Sequence, residues 1–127
     1  MGQVDSNTVF VCAATFFPLQ KWRDVIPFLR MSSRVQRQLK GTPGLVRFGL
    51  RTSVIRKRYW TYSVWVDRAS IDAFLHAEPH VTAMSRLDKW VIPGESAFVS
   101  WASTDDSINW EEGLDRLGNP SSHGTRE

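Results

Sequence analysis

Residues 58–66, which read Arg-Tyr-Trp-Thr-Tyr-Ser-Val-Trp-Val, constrain the fold of this chain more than any other segment. Their aromatic and β-branched side chains are typical of a β-strand, and they alternate between two sets. One set is uniformly large, which favours a sheet face covered by helices, and comprises Trp60, Tyr62 and Val64. The other set mixes hydroxyls with rings, as expected of a face that lines a cavity, and comprises Tyr59, Thr61, Ser63 and Trp65.

Similar alternation predicts three further strands, over residues 8–16, 44–51 and 95–103. Helical spacing predicts a short turn at 21–25, a main helix from about 26 to 39, and two helices at 68–76 and 79–90. Asp67 is expected to cap the first of these two helices. The resulting order, β-α-β-β-α-β, predicts an α+β fold of the ferredoxin-like type, with a four-stranded antiparallel sheet.

In this fold the helices cover one face of the sheet, yet three of the predicted strands carry apolar residues on both faces. A second copy of the chain would cover the other face. The sequence therefore predicts a homodimer with twofold symmetry whose two sheets form a dimeric α/β barrel.

The chain has 127 residues, which predicts one domain over residues 1–117 and a flexible C-terminal tail over 118–127. Its single cysteine, Cys12, excludes an internal disulfide and suits a reducing compartment. The sequence has no basic-then-apolar leader and no apolar run near the ~20 residues of a membrane span. We therefore expect a soluble, cytoplasmic protein without a membrane span.

Charge is unevenly distributed along the chain. Residues 21–58 contain eleven Lys or Arg against one Asp, whereas residues 59–127 contain five against eleven acidic residues. This polarity favours an anionic partner or head-to-tail contacts between subunits. The basic helix row, Arg30, Arg34 and Arg37, lacks interleaved aromatic residues, and no nucleic-acid-binding motif is present. We interpret it as a solvated helix face and predict no nucleic-acid partner.

The chain resembles the dimeric α/β-barrel superfamily, which includes the antibiotic-biosynthesis monooxygenases. The resemblance is carried by residues 59–65, 71–74 and 80–84, and by the fourth strand with residues 109–112 after it; it extends over roughly 8–117. Within the superfamily, the chain is most similar to a bacterial family that resembles spheroidene monooxygenase. The resemblance implies a monooxygenase-like enzyme acting on a hydrophobic metabolite, with no cofactor or with haem. A haem-binding protein and a non-catalytic ligand-binding or stress-response dimer are the alternatives.

His80 is the first candidate catalytic residue. A neutral imidazole at the start of a helix can act as a general base or ligate iron, although a structural histidine that bonds a loop carbonyl is the alternative. Met84, which lies one helical turn further along the same stripe, is a candidate substrate-binding residue. In haem-degrading relatives of this superfamily the ligand histidine comes from this region, and alignment on residues 64–65 places it near Met84 rather than His80.

The remaining candidates belong to the strands. Trp65 would orient an electron-rich substrate or fill the core, and Thr61 and Ser63 would bind substrate oxygens or pair locally. Arg47 would bind an anionic group of the substrate or pair with a carboxylate. Trp101 is core or cavity wall. No spacing of Cys and His typical of a metal site is present, so no metal is predicted.

Overall fold

The computed structural model describes residues 8–78 and 80–118. The strands are β1 (Phe10–Pro18), β2 (Leu45–Ser53), β3 (Arg58–Trp65) and β4 (Ala97–Ser103). A 3₁₀ turn (Trp22–Asp24) precedes the helices α1 (Val25–Lys40), α2 (Arg68–Leu75), α3 (His80–Trp90) and α4 (Trp110–Arg116). Every predicted strand and helix is present, with bounds within two residues of the prediction. Residue 79, the predicted start of α3, and residues 119–127 of the predicted tail lie outside the described residues.

The four strands form one antiparallel sheet in the order β2-β3-β1-β4. The two strands next to each other in the chain, β2 and β3, form a hairpin, and helical connections join the rest. This is the ferredoxin-like α+β fold that the element order predicts. Asp67 caps α2 as expected, because its carboxylate accepts a hydrogen bond of 2.8 Å from the backbone N–H of Ser70.

The helices α1, α2 and α3 cover the sheet face that carries Tyr59, Thr61, Ser63 and Trp65, which we call the helix face. Tyr59 packs with Phe28 of α1, and Trp65 packs with Phe74 of α2; their ring centroids are 4.5 and 5.4 Å apart. The prediction that the uniformly large set faces these helices is therefore wrong. Both sets can be buried, so side-chain size does not distinguish the two faces.

The opposite face of the sheet, which we call the outer face, is covered by the C-terminal helix α4. Ile108 and Trp110 pack on a buried cluster that includes Tyr62 and Trp101. The ring of Trp110 meets that of Tyr62 edge-on at 5.7 Å. Gly113 allows this close approach, since a Cβ there would lie 2.9 Å from the Tyr62 ring. The expectation that only a second copy of the chain could cover this face is thus wrong.

A β-bulge in β2 sets which residues of this edge strand reach each face. Leu45 pairs with Trp65, but Arg47 pairs with Val64, so the intervening residue is extra. After the bulge Phe48 lies on the helix face. Arg47, opposite Val64, lies on the outer face.

Candidate functional site

An apolar cavity of about 270 Å³ lies between the helix face of the sheet and the helices α1, α2 and α3. Its volume is near the lower end of the range for small-molecule pockets. Large side chains join the helices to the sheet at both ends of β3, around Tyr59 and around Trp65. Between these clusters the sheet carries small side chains, Ala13, Thr61 and Ser63, which leave the space unfilled.

One row of side chains crosses the floor of the cavity from sheet edge to sheet edge. Its members, from β2 to β4, are Leu50, Thr61, Thr15 and Phe98. The hydroxyls of Thr15 and Thr61 are hydrogen-bonded to each other in the middle of the row. Leu50 and Phe98, at the two ends, are 42% and 52% exposed, so the cavity reaches the surface at both sheet edges.

Ser63 and Trp65 form a second internally satisfied pair. The indole Nε1 of Trp65 donates a hydrogen bond of 2.8 Å to the hydroxyl of Ser63. Trp65 is 1% exposed and is held between Phe74 and the rest of its cluster. The indole thus forms a fixed wall of the cavity, and its only polar atom has a partner.

His80, at the start of α3, differs from these pairs because only one of its two ring nitrogens has a hydrogen-bond partner among the described residues. Its Nδ1 lies 3.2 Å from the backbone carbonyl oxygen of Leu75, and its ring packs on Phe74 with centroids 4.7 Å apart. A carbonyl can only accept, so Nδ1 carries the proton of the neutral ring and Nε2 has the free lone pair. Burial lowers the pKa of His80 below its ordinary value, and the bond to Leu75 opposes this only in part.

The imidazole is therefore neutral near pH 7 and lines the cavity. Among the described residues, no hydrogen-bond partner is found for Nε2. Met84, one turn further along α3, lines the cavity with its flexible thioether. His80 and Met84 thus meet Thr61, Ser63 and Trp65 around one space, in which the imidazole of His80 can accept a proton.

Two sequence candidates lie on the outer face, away from the cavity. The Nε of Arg47 donates a hydrogen bond of 2.9 Å to the carbonyl oxygen of Asp106, whose carboxylate lies 3.5 Å from the same guanidinium. Trp101 packs on Tyr62, with ring centroids 5.6 Å apart, and under the guanidinium of Arg116. Arg47 is thus paired with a carboxylate and Trp101 belongs to a buried cluster, which are the alternatives given for each, and neither lines the cavity. A role of either residue in substrate binding stays a prediction.

Sequence reasoning missed polar residues that line the cavity from elements other than β3, namely Thr15, Ser32, Gln36 and Thr52, whereas Tyr59 belongs to the set expected to line a cavity. Thr15 follows Ala13 on the same face of β1, so the alternation in that strand contained the signal for it. The hydroxyl of Tyr59 is buried without a hydrogen-bond partner among the described residues, and burial raises its pKa. Nothing in the sequence indicates that unpaired state, since it depends on which residues from other elements surround the hydroxyl.

The cavity does not fit haem. The propionates of haem are commonly paired with Lys or Arg, and neither is found among the described residues that line the space. The volume is also small for a tetrapyrrole with its substituents. Over residues 8–78 and 80–118 there is no group of three His, Cys, Asp or Glu side chains that could hold a metal ion. Within the same ranges, no helix has the length and apolar character needed to cross a membrane.

Solved structures with the same fold include oxygenases. A conserved protein from Methanosarcina mazei Go1 is similar with a TM-score of 0.67 at 12% identity, over 78% of this chain and 96% of that chain. An antibiotic biosynthesis monooxygenase is similar with a TM-score of 0.60 at 15% identity, over 80% and 99%. SnoaB, a cofactor-independent oxygenase from Streptomyces nogalater, has a TM-score of 0.58 at 17% identity, over 78% and 95%.

These likenesses show that the fold is that of the antibiotic-biosynthesis monooxygenases. No curated protein matches the chain in sequence. The model of a family described as a domain of unknown function, DUF3291, matches residues 27–127, so the chain belongs to the DUF3291 family.

Proposed function

We propose that the protein is a small cofactor-independent oxygenase that binds an apolar metabolite in the cavity and uses His80 as its general base. The observation that carries this proposal is the neutral imidazole of His80, which lines the apolar cavity. Its Nδ1–H donates to the carbonyl oxygen of Leu75, and its Nε2 has no partner among the described residues. A base of this kind needs a pKa below the working pH, which burial supplies. The fold shared with oxygenases, SnoaB among them, supports the reaction class.

The side chains that line the cavity indicate the class of substrate. An apolar cavity without Lys or Arg among its described residues favours a neutral, hydrophobic molecule. To react with oxygen without a cofactor, that molecule must itself supply the electrons. A CH₂ group flanked by aromatic or carbonyl groups can do so, because its loss of a proton leaves an electron-rich carbanion. Nε2 of His80 would take the proton, and the resulting carbanion would reduce O₂ and bond to it.

The proposed reaction balances with the substrate and O₂ alone, so no external reductant is needed. The carbanion and O₂ form a peroxide anion. The protonated His80 then gives its proton to this anion, which becomes a hydroperoxide. Loss of water then gives a ketone, so that R₂CH₂ and O₂ yield R₂C=O and H₂O. Trp65 would form the rigid wall on which the rings of the substrate lie, and Met84 would adapt to their shape.

An anthrone, a tricyclic compound with such a CH₂ group, serves as the probe in the test. We expect the protein to consume O₂ and form the corresponding quinone, and His80→Gln to reduce the rate by about a hundredfold or more. His76→Gln is the matched control. His76 also has Nδ1 near a backbone carbonyl, that of Asp72 at 2.8 Å, but it lies exposed on the surface. Equal rates in the two variants would disprove the role of His80.

One observation favours a second function, that of a ligand carrier. The hydroxyl pair Thr15–Thr61 and the pair Ser63–Trp65 are satisfied internally, so the cavity can hold an apolar ligand without any chemistry. In that case the protein would bind the anthrone, observed as quenching of its tryptophan fluorescence, without O₂ uptake above the uncatalysed rate.

The homodimer and the likeness to spheroidene monooxygenase stay predictions from the sequence.

A further inference from the structure

A group of large apolar side chains is exposed at one end of the molecule, at the β2–β3 turn and the start of α1. Ile55 is 86% exposed, Ile26 61%, and Trp22 and Val54 56% each. Lys57 joins the two segments, because its Nζ lies 4.6 Å from the ring centroid of Trp22. We call Trp22, Ile26, Val54 and Ile55 the hairpin patch.

Basic side chains are interleaved with the hairpin patch. Lys21 and Arg23 flank Trp22 in sequence, and three cations follow Ile55 directly at positions 56–58. The salt bridges found over residues 8–78 and 80–118 are Arg47–Asp106 and Arg116–Glu112. The cations beside the patch are therefore not paired with carboxylates in the described part of the chain. Asp24 is the one acidic residue within 21–58, so together the cations form a rim of net positive charge around the apolar side chains.

We propose that the hairpin patch docks on the surface of an anionic lipid bilayer. Exposed aliphatic and Trp side chains beside Lys and Arg are the combination that binds at the boundary between headgroups and acyl chains. The apolar side chains would enter the acyl boundary, and the cations would contact phosphate groups of the headgroups. The proposal concerns a peripheral contact and does not require a spanning helix.

Charge and hydrophobicity together select this partner over two others. A nucleic acid would match the cations but would leave Ile55 and Ile26 in water. A second copy of the chain would bury the apolar side chains but would bring two positive rims together. An anionic bilayer matches both features at once.

The cavity opens beside the same surface. Leu29 and Leu50 both line the cavity and are 44% and 42% exposed. Leu29 is three residues after Ile26, so the two lie on one flank of α1, and Leu50 belongs to the strand that leads to the β2–β3 turn. A hydrophobic ligand dissolved in the bilayer would thus meet the cavity opening. This last step rests on the proposed function, whereas docking itself does not.

The test is co-sedimentation of the full chain with vesicles. We expect binding to vesicles of equal parts phosphatidylglycerol and phosphatidylcholine, and much weaker binding to phosphatidylcholine alone. Ile55→Asp should lower the partition coefficient by more than about tenfold, because it removes the most exposed apolar side chain from the acyl boundary. Val81→Asp, at a 43% exposed site on α3 outside the patch, changes the net charge equally and should bind like the unchanged protein.

Other results would overturn the proposal. Failure to bind anionic vesicles would do so directly, and so would equal binding by Ile55→Asp and Val81→Asp, which would indicate adsorption by charge alone. Tighter binding to an oligonucleotide than to the vesicles would favour a nucleic-acid partner instead. A native mass that drops by half on Ile55→Asp would favour a second copy. His80 takes no part in this assay, so failure of the proposed chemistry would leave its result unchanged.

Discussion

Replacing Gly113 with alanine tests whether α4 packs on the outer face of the sheet. In the structure a Cβ at this position would lie 2.9 and 3.0 Å from two carbons of the Tyr62 ring. That ring is 1% exposed and is bracketed by Trp101 and Trp110, so it has no free space into which to move. The substitution must therefore displace α4 or strain the cluster.

The expected magnitude is the difference between two opposing effects. Overpacking a well-packed core costs about 1–3 kcal/mol. Alanine in a helix interior is better than glycine by about 1 kcal/mol, which offsets part of that cost. We expect Gly113→Ala to lower the free energy of unfolding by up to about 2 kcal/mol, measured by urea denaturation at equilibrium.

The control is a second Gly→Ala substitution, and the refuting result is an increase in the free energy of unfolding of Gly113→Ala. Gly41→Ala places a methyl group where nothing lies within 4 Å and where φ is −100°, so it should be neutral or slightly stabilising. If α4 did not pack on Tyr62, Gly113→Ala would keep only the gain in helix propensity. A more stable Gly113→Ala protein would therefore refute the packing of α4 described above.

Three further substitutions test the helix face and its connections. Ser63→Ala leaves the buried indole N–H of Trp65 unpaired and should cost about 1–3 kcal/mol in urea denaturation. The same substitution made in a Trp65→Phe background should cost much less, because that background has no indole N–H to leave unpaired. Gly44→Ala should destabilise the protein more than Gly94→Ala. Both glycines have positive φ, but a Cβ at Gly44 would overlap the hydroxyl of Ser70, whereas a Cβ at Gly94 would meet open space. Burial lowers the pKa of His80 below its ordinary 6.5, so its contribution to stability is present above that pH and is lost as pH falls below it. The thermal midpoint of His80→Gln should accordingly fall less on acidification than that of the unchanged protein, and equal slopes would contradict the shift.

The sequence was sufficient for the fold because its signals are local. Pro18 and the Gly41–Gly44 segment interrupt periodic runs, and the period changes from helix to strand where the structure changes. Thr61 and Ser63 were identified as cavity residues for a sound reason, since small hydroxyl side chains between aromatic ones leave space in a packed layer. These inferences require only the neighbours of each residue in the chain.

The errors arose where contacts between distant residues decide the outcome. The partner of Arg47, Asp106, lies 59 residues away in the chain, and a one-residue bulge just before Arg47 places Leu45 on the opposite face of the sheet. The segment that covers the outer face is short and only weakly amphipathic, so residues 108–117 gave no indication of which surface they would cover. Tyr59 shows the same limit, because it is buried in a cluster with residues of other elements, Phe28 and Leu87 among them.

The position of α4 also changes the argument for a dimer. The sequence-based case assumed that apolar residues on one sheet face would be wet in a single copy. Phe16, Tyr62 and Trp101 on the outer face are instead 4%, 1% and 6% exposed within one chain. Burial of this face therefore supplies little additional free energy to dimerisation unless α4 moves away from it. A dimer formed through this face must expose or repack Trp110, and Gly113→Ala, by weakening the contact of α4, should then favour the dimer over the monomer in analytical ultracentrifugation.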